Sequence, residues 1–254
     1  MPTPDSAPHN QLLAALPTAE LERLRAQWEL VPMSLGEVLY KSGEPLQYVY
    51  FPTTSVVSLF YLLENGESAE IALVGNEGAL GISQLIVDEI KPCRAVVQSA
   101  GHGYRLNVQL LRYEFNRAGP VLRLLLHYAQ TLSAQMKQTA MCNQHHPVEQ
   151  QLCRWLLLSL DRFSSNTVRT TQDLMKNIFG ERSEGVIEAA RNLQQAGLIR
   201  YGSDCIEVLD RPGLEQLACE CYAIVKTGWD RLLADISLGD RYRDLDSSGP
   251  ALTG

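Results

Sequence analysis

Residues 171–210, TQDLMKNIFGERSEGVIEAARNLQQAGLIRYGSDCIEVLD, hold two short helices, a tight reversal and a small hairpin in one unbroken run. Thr171 is placed to cap a helix over Gln172–Phe179, in which Leu174, Met175 and Ile178 form the side to be buried. Gly180 ends that helix and offers the left-handed backbone from which a second helix can start at a steep angle. Ser183 reads as the cap of the second helix. Val186, Ala189, Ala190 and Leu193 face inward, and Arg182, Glu184, Glu188, Arg191 and Asn192 lie opposite. After Gly197, residues 198–201 and 206–209 alternate with period two around Gly202-Ser203-Asp204, which predicts a β-hairpin. Helix, turn, helix and hairpin in this order make a winged helix-turn-helix, a unit that lays its second helix in the major groove of DNA.

Base edges would then be read by Arg182, Ser183, Glu184 and Glu188, while Thr171, Lys176, Arg191 and Arg200 would hold phosphates. Charge does not help: the chain carries a net −7, and residues 169–211 contain six basic side chains against seven acidic ones. Nonspecific wrapping of nucleic acid is excluded by that balance, so recognition has to rest on placement.

A length of 254 residues with 45% apolar content supports two ordinary cores. Apolar runs stay well short of the ~20 residues of a membrane span, and the polar start has no export leader, so a cytoplasmic, membrane-free protein is expected. Cys93, Cys142, Cys153, Cys205, Cys219 and Cys221 are scattered, as reduced thiols would be. Cys219 and Cys221, read as lying on one helix, would point to different faces and suit neither a disulfide nor a metal. Enzyme signatures are missing: there is no glycine-rich phosphate loop, no G-x-S-x-G, no H-E-x-x-H and no carboxylate pair placed for acid–base work.

Outward from the opening stretch, residues 1–10 read as disordered and 18–28 as a short helix. Residues 31–105 read as short strands broken by turn signals, among them Gly75-Asn76-Glu77-Gly78 and Gly101-His102-Gly103, with one helical interruption at 79–87. Such strands build an antiparallel barrel or jelly roll. A helix over 121–143 carries a long apolar stripe. Val121, Leu125, Tyr128, Leu132 and Met136 on it are assigned to the seam of a homodimer. Pro147 marks a hinge, residues 148–162 open the C-terminal domain, and helical pieces at 214–225 and 229–236 precede a polar tail expected to be mobile from Gly239. The fold class is therefore α+β: a β-roll sensor domain at 12–118, a dimerisation helix and hinge at 119–146, a winged helix-turn-helix at 147–225, and a C-terminal helix with tail at 226–254.

This order of parts resembles the Crp/Fnr family of bacterial transcription regulators. The likeness rests on residues 148–157 (VEQQLCRWLL), on Gly180 with Glu184 and Val186, on 193–199 (LQQAGLI) leading to Val208-Leu209-Asp210, and on 36–40 (GEVLY) with Ser42-Gly43-Glu44. It implies a cyclic-nucleotide-type β-roll, a homodimer, a near-palindromic double-stranded DNA operator and RNA polymerase as a partner. Family members that bind cyclic AMP carry Gly-Glu-Leu near the short helix of the roll and an Arg some eleven residues later. Here Gly78-Ala79-Leu80 lacks the ribose carboxylate, and Arg94 followed by Ala95, the candidate effector site, comes after a longer connection through Asp88 and Lys91. Cyclic AMP is not the expected effector.

Iron–sulfur sensors need cysteines near the N-terminus, and none precedes Cys93. His102, His127, His145 and His146 form no recognisable haem ligand set, so no cofactor and no metal is expected. In the recognition helix Ser183, Glu184 and Glu188 align with the family's Arg-Glu pair and its second Arg. Glu184 is kept, both arginines are lost, and Arg182 comes one residue early. Lys176 stands where the family has Ala or Gly. An operator different from the usual half-site follows. The alternative is a small-molecule-binding or protein-interaction module that keeps this fold without operator binding.

Overall fold

The computed structural model describes residues 9–64, 66–86, 93–162 and 165–246. Asp88 and Lys91, like residues 1–8 and 247–254, lie outside the described residues. The chain opens with α1 (Gln11–Ala14) and α2 (Thr18–Arg25). Asn10, assigned from sequence to a disordered leader, is instead fully buried. Its Oδ1 accepts from the Leu13 amide at 3.0 Å, and its Nδ2 donates to the Pro52 and Gly78 carbonyls, both at 2.8 Å. One side-chain amide thus pins the N-terminal helix to the roll.

The roll comprises β1 (Glu29–Met33), β2 (Val38–Tyr40), β3 (Tyr48–Pro52), β4 (Val56–Leu62), β5 (Ser68–Val74), α3 (Ser83–Ile86), β6 (Cys93–Ser99) and β7 (Gly101–Asn107). Two antiparallel sheets form, ordered β1-β7-β3 and β2-β6-β4-β5. Strand alternation gives the larger sheet two different faces. Val57, Leu59, Ala72, Val74, Ala95 and Val97 pack inside the roll with Met33 and Leu80. Ser58, Phe60, Arg94, Val96 and Gln98 take the alternate positions, and a register shift after Leu59 sets Glu70 opposite Phe60 on that same side. The stretch 101–103 is not a turn: it is the start of β7. The Thr53, Thr54 and Ser55 amides converge on the His102 carbonyl, at 2.9, 3.2 and 3.4 Å. A Cβ at Gly101 would come within 2.6 Å of that main chain, so close approach of two backbones, not a reversal, requires the glycine. The helical interruption is also shorter than the sequence suggests: among the described residues it is confined to Ser83–Ile86.

Beyond the roll come α4 (Val108–Asn116), α5 (Pro120–His145) and α6 (Val148–Leu160), followed by β8 (Thr167–Arg169) and α7 (Gln172–Phe179). A 3-10 turn (Gly180–Arg182) leads into α8 (Ser183–Gln195), β9 (Ile199–Tyr201), β10 (Cys205–Val208), α9 (Arg211–Leu217) and α10 (Glu220–Asp246). The wing is a three-stranded sheet ordered β8-β10-β9, β8 being a strand the sequence pattern does not announce. Gly180 has φ +59° and ψ −135°, a region open in practice to glycine alone. Ser183 is the first residue of α8, not its cap. Arg182 holds the cap position without any side-chain capping bond.

The C-terminal helix departs most from expectation. In place of two pieces and a tail from Gly239, α10 runs unbroken to Asp246, presenting Cys221, Tyr222, Val225, Trp229 and Leu232 as a buried stripe. That stripe lies along α5 and α6. The Trp229 and Tyr128 rings meet at 5.7 Å between centroids, and the Trp229 indole N–H donates to Gln135 Oε1 at 3.0 Å. Gln135 in turn donates from Nε2 to the Leu73 carbonyl of β5 at 3.1 Å.

The stripe assigned to a dimer seam is therefore occupied within the chain. Val121, Leu125 and Tyr128 are buried, and the half-buried Leu132 and Met136 pack on the roll interior. The roll and α10 of the same chain cover Val121, Leu125 and Tyr128, while Leu132 and Met136 keep partial exposure. What α5 leaves exposed is another face, bearing Leu126, Gln130, Ala134, Lys137 and Met141.

Candidate nucleic-acid interface

Burial along α8 alternates with helical period. Val186, Ala189, Ala190 and Leu193 are buried, while Glu184, Gly185, Glu188, Arg191, Asn192 and Gln195 share one exposed face. Of the side chains assigned to base reading, Glu184 and Glu188 lie on that face. Ser183 is half-buried. Arg182 turns the other way: its guanidinium donates to the main-chain carbonyl of Asn143, near the end of α5. A residue near the end of α5 thereby holds the start of α8, a contact between distant segments that no local pattern signals.

The four phosphate candidates fall in different settings. Lys176 is exposed on α7, so the long side chain that replaces a small family residue does not intrude between the two helices. Thr171 caps α7, its hydroxyl accepting from the Leu174 amide at 3.2 Å. Arg191 is exposed on α8, and Arg200, on the wing, is exposed and paired with Glu207 across the hairpin.

Arg94 and Ala95 do not form one site, because neighbours on a strand point to opposite faces. Ala95 is buried inside the roll. Arg94 stacks over the Phe60 ring at 5.2 Å and donates to Ser68 Oγ at 3.3 Å. It lines a cavity of about 410 Å³ between the roll and the helix-turn-helix, facing Arg169, Thr171, Leu174, Asn177 and Asp204. The Gly78-Ala79 backbone is covered from α5. Tyr128, fully buried, donates its hydroxyl to the Ala79 carbonyl at 2.5 Å, and a Cβ at Gly78 would meet the Tyr128 ring at 2.8 Å. Burial drives the Tyr128 hydroxyl far above the usual tyrosine range, so it stays a donor.

Just past the end of α6 the chain meets the roll through an ion pair. Arg162 Nε lies 2.7 Å from Glu77 Oε1, with both side chains almost wholly buried, and Glu77 also accepts from the Gly75 amide at 3.2 Å. Glu70 on β5 accepts from Ser58 Oγ at 2.6 Å. Desolvation pushes its carboxyl up to about 7, against the pull of the Ser58 hydroxyl and of the Arg154 and Arg162 charges.

A second constellation lies at the hinge. Cys142 on α5, His146 at its C-terminal end, Cys219 in the α9–α10 link and Cys221 in the first turn of α10 place one donor atom each within 4.8 Å of every other. The expectation that Cys219 and Cys221 diverge assumed one helix for both. Cys219 in fact precedes α10, and its backbone, free of the helical path, turns its sulfur towards Cys142, 3.6 Å away. The contact between them pulls the Cys219 thiol down and pushes the Cys142 thiol up, and the Cys221 amide also favours the Cys219 thiolate.

The architecture defines a two-domain α+β protein with a winged helix-turn-helix at its C-terminal side. Residues 150–217 match the Crp-like helix-turn-helix domain. Most of the chain superposes on a protein assigned to the Crp/Fnr family of transcriptional regulators from Eubacterium rectale, with TM-score 0.66 and 13% identity over 82% of this chain and 98% of that one. A CRP/FNR-family transcriptional regulator of Thermus thermophilus gives TM-score 0.59 and 21% identity over 75% of this chain and 98% of its own. CLP of Xanthomonas campestris, described as a c-di-GMP responsive global regulator, gives 0.60 and 13% over 76% and 99%. No curated protein matches the chain in sequence. The chain carries a Crp-like helix-turn-helix on the fold of the Crp/Fnr transcriptional regulators. These structures are spanned nearly end to end while leaving a fifth to a quarter of this chain unmatched.

Proposed function

We propose that this chain is a sequence-specific DNA-binding transcription regulator of the cytoplasm, acting as a homodimer and not as an enzyme. The observation that carries the reading is the single exposed face of α8, flanked by Lys176 on α7 and Arg200 on the wing, on a domain that matches the Crp-like helix-turn-helix. Glu184 and Glu188 would accept from base amino groups, and Arg191, Lys176, Arg200 and Thr171 would meet phosphates. Arg182 and Ser183 would join them once the tie from Arg182 to Asn143 opens. Two copies would pair through the exposed face of α5, where Leu126 and Met141 remain 44% and 51% accessible. RNA polymerase is the partner at the promoter, by analogy with the family.

The effector is other than cyclic AMP, or there is none: Gly78-Ala79-Leu80 lacks the carboxylate with which cyclic-AMP-binding family members hold the ribose. The c-di-GMP response described for the Xanthomonas protein makes effector variety in this fold concrete. A specific observation favours the second reading, a binding or interaction module that has lost its operator. The α8 face holds two carboxylates to one guanidinium, and Arg182 is turned inward.

A gel-shift titration with the DNA upstream of the chain's own gene decides between them. Specific retention that weakens steeply with salt is expected. Arg191→Glu should cost at least the ~1–3 kcal/mol of one lost phosphate or base contact. If no fragment is retained even at low salt, the module reading holds.

A further inference from the structure

Two distances within the Cys142–His146–Cys219–Cys221 constellation match those of a coordination sphere, and all its donor atoms lie within 4.8 Å of one another. A tetrahedral zinc ion with Zn–S of about 2.3 Å and Zn–N of about 2.0–2.1 Å sets its ligand atoms about 3.8 Å apart between sulfurs and about 3.5 Å between sulfur and nitrogen. Cys142 Sγ and Cys219 Sγ are 3.6 Å apart, and Cys221 Sγ and His146 Nδ1 are 3.4 Å apart. Cys142 and Cys221 are wholly buried and Cys219 nearly so.

The surroundings favour ligand forms. His146 turns Nδ1 to the sulfurs and Nε2 to Glu220 Oε1, 3.4 Å away. A carboxylate on the far nitrogen fixes the tautomer that leaves a lone pair for a metal. Gln138 Nε2 points at Cys221 Sγ from 3.0 Å, the contact a thiolate accepts. Donor atoms all within 4.8 Å surround one ion and leave no room for an iron–sulfur cluster.

We propose that Cys142, His146, Cys219 and Cys221 bind one zinc ion in a closed tetrahedral site of three sulfurs and one nitrogen, joining the end of α5 to the start of α10. Four protein ligands leave no open position, so the ion is structural. It clamps the α9–α10 link beside Pro147, where α5 hands over to α6, and this holds whether or not the chain binds DNA.

The test uses the untagged full-length chain, produced with zinc and freed of loose metal by gel filtration. Elemental analysis should give one zinc per chain, and exchange for cobalt should give the intense visible bands and thiolate charge transfer of tetrahedral cobalt. Cys221→Ser should lose most of the metal, whereas Cys153→Ser, a buried cysteine outside the cluster, should keep it. Glu220→Gln, altering an exposed side chain, should weaken zinc binding by ~10–100-fold in a chelator competition, without unfolding. If Cys221→Ser does not fold, the cobalt spectrum of the parent and the Glu220→Gln affinity still decide. The proposal is overturned by a reduced, folded parent that retains no zinc and gives no tetrahedral cobalt spectrum. It is equally overturned by a Cys142–Cys219 disulfide in zinc-grown protein, or by zinc affinity unchanged in both Cys221→Ser and Glu220→Gln.

Discussion

The two flanks of α6 are made of different materials. Towards the helix-turn-helix the helix is apolar: the Trp155 ring meets Phe179 edge-on at 6.0 Å, and Leu152 and Leu156 share a core with Val186, Ala190 and Leu193. Towards the roll the contacts are polar: Arg162, just past the end of the helix, pairs with Glu77, and Arg154 donates to Thr139 Oγ1 of α5 at 3.2 Å beside Glu70. An apolar flank cannot be opened without exposing its area to water, whereas a polar flank exchanges its partners for solvent.

The sharpest way to break this comparison is to unbalance the ionic flank. Arg162→Ala leaves the Glu77 carboxylate buried without its cation and should cost ~3–5 kcal/mol in urea unfolding, while the double change Arg162→Met with Glu77→Leu should cost much less. Equal losses in both would mean that packing, not charge, holds this flank. On the apolar flank, Phe179→Ala should cost ~3–5 kcal/mol at every pH and salt concentration, with no rescue from a second polar change.

Acidity sharpens the contrast further. The Glu70 carboxyl, raised in the folded chain from 4.5 to about 7, keeps a proton that the unfolded chain has already released. Stability should therefore fall as pH rises between about 4.5 and 7, by up to about 3 kcal/mol in all, and stay level above that window. Glu70→Gln should flatten the profile. An unchanged slope in thermal or urea titrations would remove Glu70 as its source. The smallest effect belongs to Ser58→Ala, which takes one hydrogen bond from Glu70 and should cost ~1 kcal/mol, more at pH 8 than at pH 5.

How much of this is readable in the chain depends on the range of the interaction. The Gln172–Phe179 helix, with Thr171 as its cap, has the bounds its own residues announce, because caps and apolar spacing act within a few positions. Gly101 misleads a local reading because its reason lies on another segment, at residues 53–55. The length of α10 is hidden because Gly228 and Thr227 weaken the local pattern, while the packing of Trp229 and Leu232 on α5 and α6 supports the helix from outside. Within the candidate site, the exposed face of α8 is legible. The engagement of Arg182 with Asn143 and the meeting of Cys142 and His146 with Cys219 and Cys221 are not, since their partners lie far along the chain. The spacing C-x3-H before Pro147, read together with C-x-C, is the available clue.

Gln135 carries an evolutionary consequence. Its amide gives a proton to a strand carbonyl with one end and receives one from an indole with the other, so no other genetically encoded side chain of that length can serve both neighbours: glutamate offers no donor, methionine neither function. Among descendants of this chain, positions 135 and 229 should drift as a couple or stay still together.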